Sequence, residues 1–108
     1  MPMRQFTPAQ LDAYLRETPT PPLLLDVREP WEYEIAHIEG STLVPLRQVP
    51  ELVNREDPER EIVVICHHGI RSHHAGLFLE HHGFRRIINL AGGIDAWARQ
   101  VDTDLPVY

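Results

Sequence analysis

The run Cys66-His67-His68-Gly69-Ile70-Arg71-Ser72 gathers a thiol, two imidazoles, a guanidinium and a hydroxyl within seven consecutive residues. A thiol attacks as its thiolate, so chemistry here needs hydrogen-bond donors or positive potential around the sulfur. If the run curls from a strand into a helix, its backbone N–H groups turn inward and the helix dipole adds to them, which favours charged sulfur. Gly69 is expected to supply a positive φ or a close approach, Ser72 to cap the helix, and Arg71 to face the sulfur. His67 and His68 would help steer an anionic donor, although near neutral pH an imidazole carries little charge without an anion beside it. A lone cysteine at a strand end is more often a small buried hydrophobe. What distinguishes Cys66 is its setting: an aliphatic run before it, a glycine after it and a helix beyond.

The elements that must hold this loop can be read from periodicity. Glu61-Ile62-Val63-Val64-Ile65-Cys66 is β-branched and aliphatic up to the cysteine, which predicts a central strand buried on both faces. Residues 72–82 predict the helix that follows, with Ala75, Leu79 and His82 on one side and Gly83 closing it. Before the loop, Thr7-Pro8 opens a helix over 8–17, with Leu11, Tyr14 and Leu15 sharing a face. Leu23 to Val27 predicts a second buried strand, Pro30 to Ile35 a helical turn, 42–45 a short strand and 49–55 a short helix. After the loop come a strand over 86–90, a turn at Gly92-Gly93 and a helix over 94–100. Strands alternate with helices, so the expected fold class is α/β: a mostly parallel central sheet with helices on both faces, three layers in all. Ligands of such sheets bind beyond the carboxyl ends of the strands, where Cys66 lies. Asp26 and Arg28 end a neighbouring strand and are expected to support the loop by pairing, with Glu32 reaching back to Arg28, or else to form a purely structural ion pair.

Composition narrows the function. The 108 residues, 43% hydrophobic and 24% charged, fit one globular domain spanning residues 1–108. Ten basic residues against 16 acidic give a net charge of −6, the wrong sign for nucleic acid or anionic lipid. Every basic residue is arginine, which excludes Schiff-base and lysine-carrier chemistry. No apolar run approaches the roughly 18 residues of a membrane span, and the first residues lack a signal-peptide core. One cysteine, which cannot pair within the chain, fits a reducing cytoplasm. No cofactor is expected. Seven histidines include the doublets His67-His68, His73-His74 and His81-His82, but none is spaced four apart on a helix, so no metal site is expected either.

Three ordered segments resemble a known family. Leu25-Asp26-Val27-Arg28-Glu29, with Trp31-Glu32-Tyr33 and Ala36-His37-Ile38-Glu39-Gly40-Ser41, is similar to the first signature of the single-domain rhodaneses, with Ala36 where glycine is usual. The Cys66-to-Ser72 run resembles their active-site loop, and Asn89-Leu90-Ala91-Gly92-Gly93-Ile94-Asp95-Ala96-Trp97 their C-terminal signature. The resemblance implies a sulfurtransferase. In it Cys66 takes the sulfane sulfur of thiosulfate or a related donor, holds it as a persulfide, and yields it to a thiol or cyanide. The implied partners are therefore small-molecule sulfur donors and acceptors, with a sulfur-relay protein as a further acceptor. Two other readings are kept: a persulfide-carrying or protein-binding relay module with little turnover, and a relative of the cell-cycle phosphatases and arsenate reductases. The latter carry one more residue between cysteine and arginine than the four found here.

Overall fold

The aliphatic runs become strands, and the computed structural model, which describes residues 2–108, joins five of them in one parallel sheet. In chain order the elements are β1 (Arg4–Phe6), α1 (Pro8–Glu17), β2 (Leu23–Asp26), α2 (Pro30–Ile35), β3 (Thr42–Leu43), a 3₁₀ segment (Leu46–Asn54), β4 (Ile62–Ile65), α3 (Ile70–His81), β5 (Ile87–Leu90) and α4 (Gly93–Gln100). The strand order is β1-β5-β4-β2-β3, so β4 is central, as its composition predicts. Its register sets Val63 beside Leu24 of β2 and Val64 beside Asn89 of β5.

Side chains alternate across a strand with period two, and β4 uses the alternation to build two cores. Ile62, Val64 and Cys66 enter one layer with Ala75 and Leu79 of α3 and with Val49 and Leu52 of the 3₁₀ segment. Val63 and Ile65 enter the other, with Leu11 of α1 and Ile94 and Trp97 of α4. Each fully buried aliphatic side chain contributes about 1.5–3 kcal/mol to this closure. α1 starts where expected: the Gln10 amide donates to the Thr7 hydroxyl at 3.2 Å, and the Thr7 amide donates back to the Gln10 side chain at 2.9 Å.

Three elements differ from the sequence reading. β1 is unanticipated; it is held at the sheet edge by pairing with β5 rather than by its own pattern. The helix read at 49–55 is a 3₁₀ segment beginning at Leu46, and Pro50 inside it has no N–H for an α-helical bond. α3 begins at Ile70 instead of Ser72, because Gly69 takes the N-cap position with φ +96°. Ser72 therefore lies in the first turn and does not cap the helix. Among the described residues, no helix is long and apolar enough to cross a membrane.

Candidate active site

Cys66 follows β4 directly, so the strand alternation fixes where its side chain points: into the core layer beneath α3, where it is 1% exposed. In this respect it is the buried hydrophobe a lone cysteine usually is. Its sulfur is nevertheless polar-bonded. The Gly69 amide donates to Sγ at 3.0 Å, and Ser72 Oγ lies 3.3 Å from it as the thiol's acceptor. Ser72 donates in turn to Asn89 Oδ1 at 2.5 Å, and the Asn89 amide donates to the Gly69 carbonyl at 3.2 Å and to Gln5 at 2.9 Å. A hydroxyl both donates and accepts, so rotation of the Ser72 O–H would turn it from acceptor of the thiol into donor to a thiolate. The loop is thus tied to α3, β5 and β1 through one buried polar chain.

Two glycines let the backbone close around the sulfur. A Cβ on Gly69 would meet Gly92 N at 3.1 Å and Leu90 O at 3.3 Å, and φ +96° is unfavourable for any other residue. A Cβ on Gly93 would collide with the carbonyl oxygens of Cys66 and His67. The Gly92-Gly93 turn delivers the start of α4 there: Ile94 N donates to the Cys66 carbonyl at 2.8 Å and Asp95 N to the His67 carbonyl at 3.1 Å.

Arg71 is placed beside the loop but is not free. Its two terminal nitrogens bind the Glu32 carboxylate at 2.7 and 2.8 Å. That pairing holds Glu32, 4% exposed, well below its ordinary 4.5, down to about 2, and raises the Arg71 guanidinium in return. The expected Glu32–Arg28 side-chain pair is accordingly replaced: Arg28 Nη1 donates to the Glu32 backbone carbonyl at 3.2 Å while the carboxylate goes to Arg71. Arg28, fully buried, grips Asp26 through Nε at 2.9 Å and Nη2 at 2.7 Å, and also donates to the Ala36 carbonyl at 2.7 Å. Asp26 and Arg28 form a closed pair that fastens β2 to α2, one step removed from the sulfur.

Tyr108 completes the cluster and carries no sequence signal. Its hydroxyl donates to Glu32 at 2.9 Å and accepts from Arg28 at 2.8 Å. Burial, reinforced by Glu32, pushes this phenol up to about 12, so it stays a neutral donor. Its ring stacks on His67 at 3.9 Å, and His67 faces His68 at the same distance. Burial first, and His68 second, lower the His67 pKa and keep that ring neutral. His67 Nε2 is buried without a hydrogen-bond partner. His68 is exposed, with Nδ1 4.0 Å from Asp95. Ile70 is exposed at the loop's outer edge.

Asn89 and Tyr108 are the members sequence reasoning missed as site residues, and Glu32, expected on Arg28, is found on Arg71. Asn89 leaves a trace in the sequence, a polar residue inside the aliphatic run of β5. Glu32 leaves one too, three residues after Glu29 and behind the helix-opening Pro30, where its side chain accepts from the Glu29 amide at 2.9 Å. Among the described residues, the group with metal-ligand chemistry near the loop is His67, His68 and Asp95, whose candidate atoms lie within 4.8 Å of one another.

Comparison with known proteins gives a consistent set of likenesses. The rhodanese-like domain family matches residues 7–100. The chain is 39% identical over 79 residues to a putative sulfur carrier protein, YrkF, of Bacillus subtilis, covering 73% of this chain and 43% of that one. It is 38% identical over 87 residues to a probable adenylyltransferase/sulfurtransferase, MoeZ, of Mycobacterium tuberculosis, covering 79% and 22%. It thus spans less than half the length of these curated relatives. A crystal structure of a rhodanese-like domain protein from Staphylococcus aureus superposes with a TM-score of 0.82 at 26% identity, over 98% of this chain and 99% of that one.

Proposed function

The chain belongs to the rhodanese-like domain family, and from that premise we propose that it acts as one domain that moves a sulfane sulfur through a persulfide on Cys66. The donor is thiosulfate or a related compound, and the acceptor is a thiol or cyanide. One observation carries the reading: the lone thiol sits at the end of the central strand with an amide donor at 3.0 Å and a hydroxyl at 3.3 Å. The names of the B. subtilis and M. tuberculosis relatives, a sulfur carrier and a sulfurtransferase, agree with this chemistry.

The residues divide the work as follows. The Cys66 thiolate attacks the outer sulfur of the donor; the new S–S bond forms as the donor's own S–S bond breaks, and its electron pair leaves with sulfite. The Gly69 amide and the rotated Ser72 hydroxyl stabilise negative sulfur before and after the step, in a site from which water is excluded. His67, His68 and Ile70 form the wall a donor passes. Asp26, Arg28, Glu32, Arg71 and Tyr108 hold the loop's flank. A nucleophilic acceptor then attacks the outer persulfide sulfur and returns the Cys66 thiolate.

Intact-protein mass after incubation with thiosulfate tests the reading. The wild type gains the mass of one sulfur and loses it on adding cyanide or a thiol, whereas Cys66→Ser, nearly isosteric, folds normally and gains nothing. An adduct that persists in Cys66→Ser would overturn the assignment. The relay-module reading differs in one respect: the adduct forms and discharges to a protein thiol, but steady-state turnover on cyanide is absent.

A further inference from the structure

We infer that the Cys66 loop selects its sulfur donor by charge, favouring sulfane-sulfur compounds with one negative charge over those with two, because the arginines around the sulfur are already neutralised by buried or part-buried carboxylates. The inference rests on the persulfide reading and narrows its donor class.

Arg71 in the loop's own run, Arg28 after β2 and Arg99 in α4 are each spoken for. Arg71, five residues after Cys66, is bound in a fork by Glu32, which stays ionised to about pH 2. Arg28 is closed on Asp26 with both side chains fully buried. Arg99 holds Asp95 at 3.1 Å. Three guanidinium charges therefore meet three carboxylates. The imidazole next to Cys66 adds no permanent charge, since burial keeps His67 neutral. The chain as a whole carries −6. Into this balanced site comes a nucleophile that is itself an anion.

The charge balance of the step then differs between donors. With an alkanethiosulfonate, RSO₂–S⁻, the thiolate and donor bring two negative charges, and the persulfide and the leaving sulfinate RSO₂⁻ carry two away. With thiosulfate they bring three, and the persulfide and sulfite carry three. The bonds made and broken are the same. The extra charge of thiosulfate is stripped of water without an unpaired cation to receive it, and like charges in a partly desolvated cleft repel strongly.

The test measures kcat/KM for methanethiosulfonate and for thiosulfate, with cyanide as the common acceptor at pH 8, in the full chain and two variants. Glu32→Gln keeps a hydrogen-bond partner for Arg71 but releases its charge; Asp95→Asn releases Arg99 at the rim. The ratio of thiosulfonate to thiosulfate kcat/KM is expected to fall about tenfold in Glu32→Gln and about threefold in Asp95→Asn, the size of one partly screened charge. Because sulfite and sulfinate differ as leaving groups in the same way in every variant, that difference cancels in the comparison. A ratio unchanged in both variants overturns the inference while leaving the persulfide cycle intact. If neither donor deposits sulfur on Cys66 in the wild type, the persulfide reading fails and takes the inference with it. Should Glu32→Gln not fold, the ratio in Asp95→Asn decides alone.

Discussion

Removing the Arg71 guanidinium leaves Glu32 ionised, 4% exposed, and held only by the Tyr108 hydroxyl and the Glu29 amide. Breaking a buried pair on one side costs more than the pair is worth, because the remaining charge has lost its partner but not its burial. Arg71→Ala is therefore expected to lower stability by about 2–4 kcal/mol as well as to slow transfer, measured by urea unfolding and single-turnover mass. Arg71→Met combined with Glu32→Leu should recover most of the stability, which measures how much of the loss comes from the unpaired carboxylate. Ser72 behaves in the opposite way. Its hydroxyl is fully buried between Cys66 and Asn89, and Ser72→Ala removes one of the two polar partners of the sulfur. A hydrogen bond to a charged group is worth about 1.5–3 kcal/mol, so persulfide formation should slow about tenfold or more while the far-ultraviolet spectrum is unchanged. An unaltered rate would leave the Gly69 amide as the sole stabiliser of the charge.

At the scale of elements, the loop exists because α3 and α4 both begin against it, and glycine substitution measures how tightly. Gly40 and Gly93 both have positive φ, but a Cβ on Gly40 meets nothing within 4 Å while one on Gly93 runs into the Cys66 and His67 carbonyls. Gly40→Ala should cost about 1 kcal/mol, the strain of the left-handed region alone. Gly93→Ala should cost clearly more and, by pushing the Cys66 backbone, impair sulfur loading as well; equal thermal shifts for the two would show that the α4 turn is not the loop's floor. The same contrast explains what could be read from the chain. β4, α3 and the Cys66 loop are legible because their signals are local: an aliphatic run, a glycine, a helical period. β1 is not, since Arg4-Gln5-Phe6 becomes a strand only through pairing with β5. Ser72 is misplaced by two residues because a left-handed glycine, not a hydroxyl, starts α3. Arg71 is legible as a cation near the thiol, but its partner Glu32 stands 39 residues before it and Tyr108 stands 76 residues beyond Glu32, so composition announces the charge and only the fold shows that it is spent.

For the whole molecule, the buried carboxylate at the centre of this network sets how folding responds to acid. Glu32 titrates near 4.5 in the unfolded chain and near 2 in the folded one, chiefly because of Arg71. Above about pH 5 both states are ionised there, and the full contribution of the pair is present. As the pH falls through 4.5 the unfolded chain takes up the proton first, so the stability from Glu32 drains away between roughly pH 4.5 and 2, about 3 kcal/mol in all. Half-buried Tyr108 donates to the same carboxylate while its hydroxyl accepts from buried Arg28, so protonation of Glu32 loosens α2, the loop and Tyr108 together rather than a single bond. Urea midpoints measured from pH 6 to pH 2.5 should fall more steeply for the wild type than for Glu32→Gln, whose curve lacks this proton uptake. Parallel curves would mean that other carboxylates carry the acid sensitivity and that Glu32 is free to protonate in the folded state. In that case protonation of Glu32 would leave the Arg71 charge unbalanced at low pH, and the preference between thiosulfonate and thiosulfate should narrow over the same range, which ties the stability measurement back to the donor the loop accepts.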